Sequence, residues 1–255
     1  MVTAELSQWM STALDPAFLM QDLGLDPDPW QERAVRSRSD RLLLLASRQS
    51  GKSTVTSCIA LHQALFTPQS LTLLFAPSLR QSGELFLKVL EGYRNLGRPV
   101  EAVREMALSL ELLNGSRIVA LPGDEATVRG YSAVSLCIID EAARVSDGLV
   151  PAVAPMLAVS RGRLLLLSTP FGRRGTFFDA WESADPSWER IRAVAHECPR
   201  IPAEFLEEQR RLLGPRYYSQ EYESEFIDAE GQLFSTESIE AMYADSDPSM
   251  IIQGF

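Results

Sequence analysis

The sequence predicts an α/β fold, with helices on both faces of a mainly parallel, doubly wound sheet. Short runs rich in Leu, Ile and Val recur along the chain, and the segments between them have helical length and periodicity. Near-continuous hydrophobicity means that both faces of a strand are covered, and strands that alternate with helices build a parallel sheet. The predicted strands span 41–47, 71–77, 135–140 and 163–169, and the predicted helices span 53–66, 82–96 and 149–158.

Two segments depart from this alternation. Asn114-Gly115 joins two apolar runs, which is the strongest short signal for a hairpin, so we expect an antiparallel addition at one edge of the sheet. After Pro170 the chain changes character: residues 201–213 and 215–225 are charged and helical, and the rest has the pattern of a loop. We therefore predict a core domain over 1–200 and a small helical and loop lid subdomain over 201–250 that leads to a linker.

Composition limits the classes of partner and site. The 24 basic and 34 acidic residues leave a net charge of −10, which excludes long-range attraction to DNA or to an anionic membrane. The N-terminus has no basic segment followed by an apolar run, so neither export nor membrane association is predicted. Cys58, Cys137 and Cys198 are far apart, which argues against a disulfide framework or a zinc site, and the first two lie in apolar runs typical of a core.

A phosphate-binding loop is indicated by ASRQSGKS at 46–53, which follows a predicted strand and opens a predicted helix. Backbone N–H groups at such a junction bind phosphate oxygens. Lys52 is expected to reach the β- and γ-phosphates and the Ser53 hydroxyl to bind Mg²⁺. The spacing fits GxxxxGKS, except that Ala46 replaces the first glycine. The nucleotide contacts predicted from this loop are Ser47, Arg48, Gln49, Ser50, Gly51, Lys52, Ser53 and Thr54.

The second half of this site is LCIIDEA at 136–142, four apolar strand residues followed by two carboxylates. Asp140 is expected to hold magnesium through its water shell, and Glu141 to act as general base on the attacking water. The phosphate loop precedes the acidic motif in the chain, and each lies at the carboxyl end of a predicted strand. Ligands of parallel sheets bind outside these strand ends, so the two motifs together predict a Mg-ATP site. A glutamate directly after the magnesium aspartate, without an NKxD sequence, favours ATP over GTP.

These motifs resemble those of the large terminase subunit of tailed double-stranded DNA bacteriophages, whose N-terminal half is a packaging ATPase. Arg48 and Gln49 before GKS match that family's variant of the phosphate loop, in which Ala46 is expected. Gln31 lies where the family places a glutamine that reads the adenine edge. Ser168 and Thr169 precede Pro170 in a motif that, in the family, couples hydrolysis to movement, and residues 217–235 resemble the segment leading out of the ATPase half.

The resemblance implies a P-loop NTPase fold and a Mg-dependent ATPase, with ATP and Mg²⁺ as cofactors. It implies double-stranded DNA, a portal protein and a small terminase subunit as partners, a homo-oligomeric ring as the assembled state, and the cytoplasm of the infected host cell as the location, with no membrane. Residues 251–255 resemble the start of the strand at which the family's nuclease half opens. We therefore expect an excised or truncated chain that lacks the nuclease domain.

Phosphoryl transfer usually requires an arginine besides the loop lysine. Arg48 is the candidate within the same subunit. Arg129 is the candidate that acts on a neighbouring subunit, because Gly130 would let the backbone turn and the Arg129 side chain project outward. Arg144 is a weaker candidate for the same role.

Contacts to DNA must be local, given the net charge. Three arginines around the sequence YRNLGRPVEAVRE are the candidates, and we expect them near the face formed by the strand ends: Arg94, Arg98 and Arg104.

Two other functions use some of the same motifs. A superfamily-2-type helicase or translocase shares the glutamine, the phosphate loop and the acidic motif, but it needs a second motor domain, and no QxxGRxxR sequence follows Pro170. A clamp that binds ATP without turning it over would not need Glu141, which argues against that class.

Overall fold

The protein, as a computed structural model, is described over residues 2–128 and 130–228. Its strands are β1 Arg41–Ala46, β2 Leu71–Ala76, β3 Ala102–Glu105, β4 Ser109–Leu112, β5 Arg117–Pro122, β6 Leu136–Asp140, β7 Arg163–Ser168 and β8 Glu189–Ala193. Its helices are α1 Val2–Leu14, α2 Ala17–Asp22, α3 Pro29–Arg36, α4 Lys52–Phe66, α5 Leu79–Asn95, α6 Glu125–Val128, α7 Leu149–Ser160, α8 Thr176–Glu182 and α9 Ala203–Tyr222. Short 3-10 turns lie at Ala142–Arg144 and Ala195–Glu197.

The strands form an eight-stranded sheet in the order β3-β4-β5-β2-β6-β7-β1-β8. The β4 strand pairs antiparallel with both of its neighbours, β3 and β5, and all other neighbouring strands pair parallel. The predicted α/β fold with a mainly parallel sheet is confirmed, and so are the four predicted hydrophobic strands and the three helices between them.

Both faces of the sheet are buried, as the hydrophobic runs predict. In β1, the side chains of Leu42 and Leu44 pack in a core with α3, α4 and α5, whereas those of Leu43 and Leu45 pack in a second core with α7 and α8. The same division holds in β6, where Ile138 belongs to the first core and Ile139 to the second. Because successive strand residues point to opposite faces, an all-apolar strand requires helices on both sides.

The predicted hairpin at Asn114-Gly115 is confirmed by the antiparallel pairing of β4 with β5. Gly115 adopts φ +81°, and the Asn114 carboxamide accepts from the amide of Ser116 at 3.0 Å and donates to the carbonyl of Ala64 at 2.9 Å. The turn is therefore fixed both by its own hydrogen bonds and by α4. The β3 strand, which the sequence analysis did not predict, extends this antiparallel edge.

The segment after Pro170 is less irregular than predicted. It contains α8 and the edge strand β8, which pairs parallel to β1. The loop expectation was wrong here because β8 has the sequence ERIRA, whose charged residues hide the apolar pattern of a strand. The two predicted charged helices merge into α9, which breaks at Gly214, φ +71°.

A small third cluster, formed by Ala195, Leu206, Tyr218 and Tyr222, packs α9 separately from the two sheet cores. The division into a core and a lid remains a prediction, and residues 229–250 of that lid lie outside the described part of the chain. All three cysteines are buried, as expected for Cys58 and Cys137, and burial raises the pKa of the Cys58 thiol to about 12. Among the described residues, no helix is long and apolar enough to cross a membrane.

Candidate nucleotide site

The predicted phosphate loop connects β1 to α4 at the carboxyl edge of the sheet, as the sequence requires. Gly51 precedes the helix with φ +95°, and a Cβ at this position would lie 2.6 Å from Nε2 of Gln31. Only glycine satisfies both the left-handed backbone and the close approach. The loop therefore leads directly into the amino end of α4, where free N–H groups and the helix dipole favour an anion.

Lys52 is buried at the start of α4 and is held by its own loop. Its Nζ donates to the carbonyls of Ala46 and Ser47, both at 3.0 Å. Burial lowers the pKa of Lys52, and the negative charges of Glu141 and Asp140 oppose this shift. The ammonium group is thus positioned between the loop and the acidic pair, where a phosphate group would replace the carbonyl contacts.

The acidic pair lies at the end of β6. The half-buried Asp140 carboxylate accepts from the amide of Glu141 at 2.9 Å, and desolvation, followed by the charge of Glu141, raises the pKa of Asp140 to about 6. Glu141 itself has φ 50° and ψ 44°, a left-handed conformation that is costly for a residue with a side chain. Such strain at a strand end is typical of functional sites and aims the Glu141 carboxylate into the cavity beside Lys52.

The predicted coupling residues reach the same place from β7. The Ser168 hydroxyl lies 3.4 Å from Oε2 of Glu141 and accepts from the amide of Ala143 at 3.3 Å. Thr169 is buried and lines the cavity. The two predicted motifs and the predicted coupling residues are therefore brought together by three neighbouring strands, β1, β7 and β6.

The phosphate loop and Glu141 line a cavity of 720 Å³, and two of its lining residues, Gln81 and Lys88, were missing from the predicted site. Gln81 and Lys88 come from α5, and Arg144 comes from the turn after β6. No motif singles out Gln81 or Lys88, because they enter the cavity from the helix that follows a different strand, β2. The cavity is lined by Arg48, Gln49, Gly51, Lys52, Ser53, Gln81, Lys88, Glu141, Arg144 and Thr169.

Two arginines of the predicted site have partners within the chain. The Arg48 guanidinium forms an ion pair with the carboxylate of Glu221 in α9, and the Arg48 amide donates to the Glu221 carbonyl at 2.9 Å. Arg144 pairs with Glu141 at 3.5 Å and lies 4.2 Å from the ring centroid of Phe171. Arg144 therefore faces the cavity of its own chain, and its role as a substitute for Arg129 remains a prediction.

A second cavity, of 530 Å³, adjoins the phosphate loop on the side of α3 and includes Gln31, Gly51 and Thr54 in its lining. The Gln31 amide is fully buried: Oε1 accepts from the amide of Asp28 at 3.0 Å, and Nε2 donates to the carbonyl of Ser50 at 3.2 Å. Gln31 thus fixes the phosphate loop, and its contact with adenine remains a prediction.

Arg200 closes the same cavity from the segment between β8 and α9. Its guanidinium donates to both carboxylate oxygens of Asp28, at 2.9 and 2.7 Å, and to the Ser50 carbonyl at 3.1 Å. Sequence reasoning missed this contact, because Asp28 and Arg200 are separated by most of the chain and neither belongs to a motif.

The three arginines predicted to contact DNA do not lie where they were expected. α5 runs antiparallel to β2, so Arg94 and Arg98 lie at its far end, where both pair with Glu105. Arg104 is opposite Glu111, which in turn is opposite Arg117, the first residue of β5. They are therefore at the amino edge of the sheet, away from the nucleotide site, and the expected placement was wrong. Arg129 lies outside the described residues.

The residues present fit a magnesium ion that arrives with a nucleotide. Ser53 follows Lys52 at the start of α4, and Asp140 is a half-buried carboxylate whose raised pKa a nearby cation would offset. Within the described residues, no group of three or more His, Cys, Asp or Glu could hold a metal. A cation at Ser53 and Asp140 would therefore need phosphate oxygens to complete its coordination.

Comparison with known proteins gives a family match over most of the chain. A family model described as "Terminase large subunit, T4likevirus-type, N-terminal" matches residues 43–241. The terminase large subunit of Escherichia phage T5 is 28% identical over 201 residues, which cover 74% of this chain and 44% of that protein. That of Thermus phage G20c is 27% identical over 248 residues, covering 84% and 51%. The chain spans about half the length of these curated relatives.

Solved structures agree on the fold. The large terminase ATPase domain of Thermus phage P74-26 matches with a TM-score of 0.72 at 24% identity, covering 82% of this chain and 97% of that one. The large terminase of a thermophilic bacteriophage, solved in complex with ADP, matches with a TM-score of 0.65 at 12% identity, covering 78% and 54%. The α/β architecture with a mostly parallel sheet is therefore shared with these large terminase structures.

Proposed function

The chain belongs to the terminase large subunit family, whose N-terminal region it matches, and on that premise we propose that it is the ATP-hydrolysing motor domain of a bacteriophage DNA-packaging machine. The observation that carries the proposal is the cavity in which Lys52, Glu141 and Thr169 meet at the ends of three neighbouring strands. A phosphate-binding loop, a general base and a coupling residue at one place are what a motor ATPase requires.

ATP is the proposed substrate. Its phosphates bind to the loop N–H groups at the amino end of α4, and the Lys52 ammonium exchanges its two carbonyl contacts for β- and γ-phosphate oxygens. The adenine occupies the 530 Å³ cavity beside Gln31 and Arg200. The large terminase of the thermophilic bacteriophage has been solved both with ADP and with ATP-gamma-S, which supports nucleotide binding in this fold.

Hydrolysis follows from the position of Glu141. Its carboxylate takes a proton from a water molecule, whose oxygen attacks the γ-phosphorus while the bond to the bridging oxygen breaks, giving ADP and phosphate. Ser53 and Asp140 would hold Mg²⁺, which when bound neutralises charge on the phosphate oxygens. Because Ser168 contacts Glu141, a change at Glu141 when the γ-phosphate leaves is transmitted to β7. A change at Arg48 is transmitted to α9 through its ion pair with Glu221.

The wider setting is also a proposal. The motor moves double-stranded DNA into a procapsid in the cytoplasm of the infected host cell, together with a portal protein and a small terminase subunit. It works as a homo-oligomeric ring in which Arg129 of one subunit assists hydrolysis in the next, with residues 1–200 as the ATPase core and 201–250 as the lid. Because the net charge is −10, DNA contacts are made by a few local arginines, for which Arg94, Arg98 and Arg104 remain candidates.

The test is steady-state phosphate release with and without double-stranded DNA, followed by a strand-separation assay on a forked duplex. We expect ATP turnover that depends on Mg²⁺, with no unwinding. Unwinding of the duplex would instead favour the helicase function, and nucleotide binding without any turnover, even with DNA and at high protein concentration, would favour a clamp.

A further inference from the structure

The whole sequence contains two lysines, Lys52 and Lys88, and both line the nucleotide cavity. All other basic side chains are arginine, apart from two histidines. A lysine ammonium is a compact point charge on a flexible stem, and it binds phosphate oxygens through that charge. The placement of both lysines in one cavity therefore singles out Lys88, which the mechanism above does not use.

The α5 helix directs Lys88 towards the reacting end of the cavity. Gln81 and Lys88 are seven residues apart, two helical turns, so they lie on the same side of α5, and both line the cavity. Helical side chains point back towards the amino end of their helix. The amino end of α5 follows β2, next to β6, so the Lys88 side chain extends towards the carboxylates at the end of β6.

The other three cations of the cavity already have partners. Lys52 donates to two loop carbonyls, Arg48 pairs with Glu221, and Arg144 pairs with Glu141. Among the residues that the structure describes, Lys88 has neither an ion pair nor a hydrogen bond. It lines the same cavity as the Glu141 carboxylate. Lys88 is thus a free cation facing the acidic side of the site.

We propose that Lys88 is a second phosphate-binding cation, which contacts the γ-phosphate of bound ATP from the side opposite the loop. The inference rests on the proposed ATPase function. Lys52 approaches a bound triphosphate from the β1 side, and Lys88 approaches it from the β2 side, beyond Glu141. Lys88 therefore stabilises the charge that moves onto the γ-phosphoryl oxygens, and it no longer has this partner once phosphate has left.

Amine labelling of the unmodified chain tests this contact directly. An N-hydroxysuccinimide ester reacts with free amines, which here are Lys52, Lys88 and the α-amino group, and mass spectrometry gives the rate at each. We expect ATP-gamma-S to slow the labelling of Lys88 about tenfold and ADP to leave it unchanged. Lys52 is the internal reference, because either nucleotide should protect it.

Three labelling results would overturn the assignment. In the first, Lys88 reacts at the same rate with ATP-gamma-S, with ADP and without nucleotide, while Lys52 is protected. In the second, ADP protects Lys88 as strongly as ATP-gamma-S does. In the third, double-stranded DNA alone protects Lys88, which would make it a DNA contact. If neither nucleotide protects Lys52, the proposed ATPase function fails as well, so the two failures are distinguishable.

A matched set of variants measures the size of the effect. Lys88→Met keeps most of the length of the side chain and removes the charge, so we expect about tenfold weaker binding of ATP-gamma-S, the scale of one charged hydrogen bond, with ADP binding within about twofold of wild type. Lys88→Arg should recover most of this loss. Arg80→Ala, which removes an exposed charge from the same helix, is the control, and an equal effect of Arg80→Ala would contradict the assignment.

Discussion

The Ser168 hydroxyl lies 3.4 Å from Oε2 of Glu141, so a residue at the end of β7 contacts the carboxylate that follows β6. The same hydroxyl accepts from the amide of Ala143, just beyond Glu141. Because Ser168 is buried and fixed in the sheet, it restricts both the backbone and the side chain of Glu141. A change in the charge facing Glu141 can therefore be transmitted to β7 through one hydroxyl group.

Replacing Ser168 by alanine should lower ATP turnover roughly three- to tenfold, the scale of one ordinary hydrogen bond, and leave ATP affinity nearly unchanged. The reason is that Glu141 keeps its chemistry and loses only its orientation. The measurement is kcat for phosphate release together with Kd from a fluorescent nucleotide. Ser183→Ala, at an exposed serine after α8, should change neither value, and a Ser168→Ala variant with full turnover would contradict the orienting role.

Glu141→Gln should abolish hydrolysis while ATP still binds, because the amide keeps the shape of the side chain but cannot take a proton. Loss of a general base lowers the rate about 10²–10⁴-fold. Lys52→Ala should lose binding as well, since it removes the charge that faces the phosphates. Phosphate release and nucleotide titration measure both effects. Retention of more than about a tenth of wild-type turnover by Glu141→Gln would remove this residue from its role.

The sequence predicted the parts of this site that lie along one stretch of chain. The phosphate loop and the acidic motif each follow a hydrophobic strand, and parallel strands bring their carboxyl ends to one edge, so Lys52 and Glu141 could be placed together without a structure. Lys88 could not, because it reaches the cavity from a helix whose pattern indicates only a sheet-covering face. Arg200 could not either, since its pairing with Asp28 depends on how β8 returns to the edge of the sheet.

Removing the Arg200 side chain should destabilise the protein by about 1–3 kcal/mol, because the Asp28 carboxylate would remain buried without its charged partner. The side chain of Asp28 is 4% exposed and that of Arg200 is 47% exposed, so water screens only one end of the pair. Urea denaturation of Arg200→Ala measures the change in the free energy of unfolding. We also expect weaker binding of ATP and ADP alike, since Arg200 holds the Ser50 carbonyl and lines the second cavity.

The control for Arg200 is Arg33→Ala on α3. Arg33 pairs with Glu189 at 3.4 Å, but its side chain is 60% exposed, so the loss should be below about 1 kcal/mol. Equal destabilisation by the two substitutions would show that burial of Asp28 has no special effect.

Acidification should weaken the attachment of α1 through His62. Its Nε2 lies 2.9 Å from the Thr12 carbonyl. Burial lowers the pKa of His62, and the positive charge of Arg38 lowers it further. The contact with Thr12 and the negative charge of Asp15 oppose this shift. The folded state therefore resists protonation of a group whose ordinary pKa is 6.5. This contribution to stability is fully present above that pKa and is lost as the pH falls through the lower, folded-state value.

His62→Gln should accordingly lose less thermal stability than wild type when the pH is lowered from neutral to acid, although it is less stable at neutral pH. Melting temperatures over a pH series, with wild type and variant in parallel, measure this difference. The chain has one other histidine, the exposed His196, so His196→Gln is the matched control and should follow the wild-type curve. Parallel curves for His62→Gln and wild type would exclude His62 as the titrating group.

Arg129 precedes Gly130, a glycine with φ +115°. Lys52 and Mg²⁺ neutralise only part of the charge on a transferring phosphoryl group, and an arginine from a neighbour adds about 10³–10⁵ in rate. If Arg129 acts on the next subunit, Arg129→Ala and Glu141→Gln chains should each be inactive alone and regain partial turnover when mixed. A Glu141→Gln subunit still offers its arginine to the intact base of an Arg129→Ala neighbour.

The mixing experiment needs conditions in which wild-type chains assemble and hydrolyse ATP, because complementation occurs only between contacting subunits. Turnover should peak at an intermediate ratio, since each productive site requires one chain of each kind in the right order around the ring. Adding Arg129→Lys to the Glu141→Gln chain keeps the charge of the donated group but not its planar shape, so this chain should complement Arg129→Ala less well than Glu141→Gln alone does, and better than an Arg129→Ala/Glu141→Gln chain. A mixture that stays inactive under these conditions, or an Arg129→Ala chain with full activity after assembly, would exclude the action of Arg129 on its neighbour.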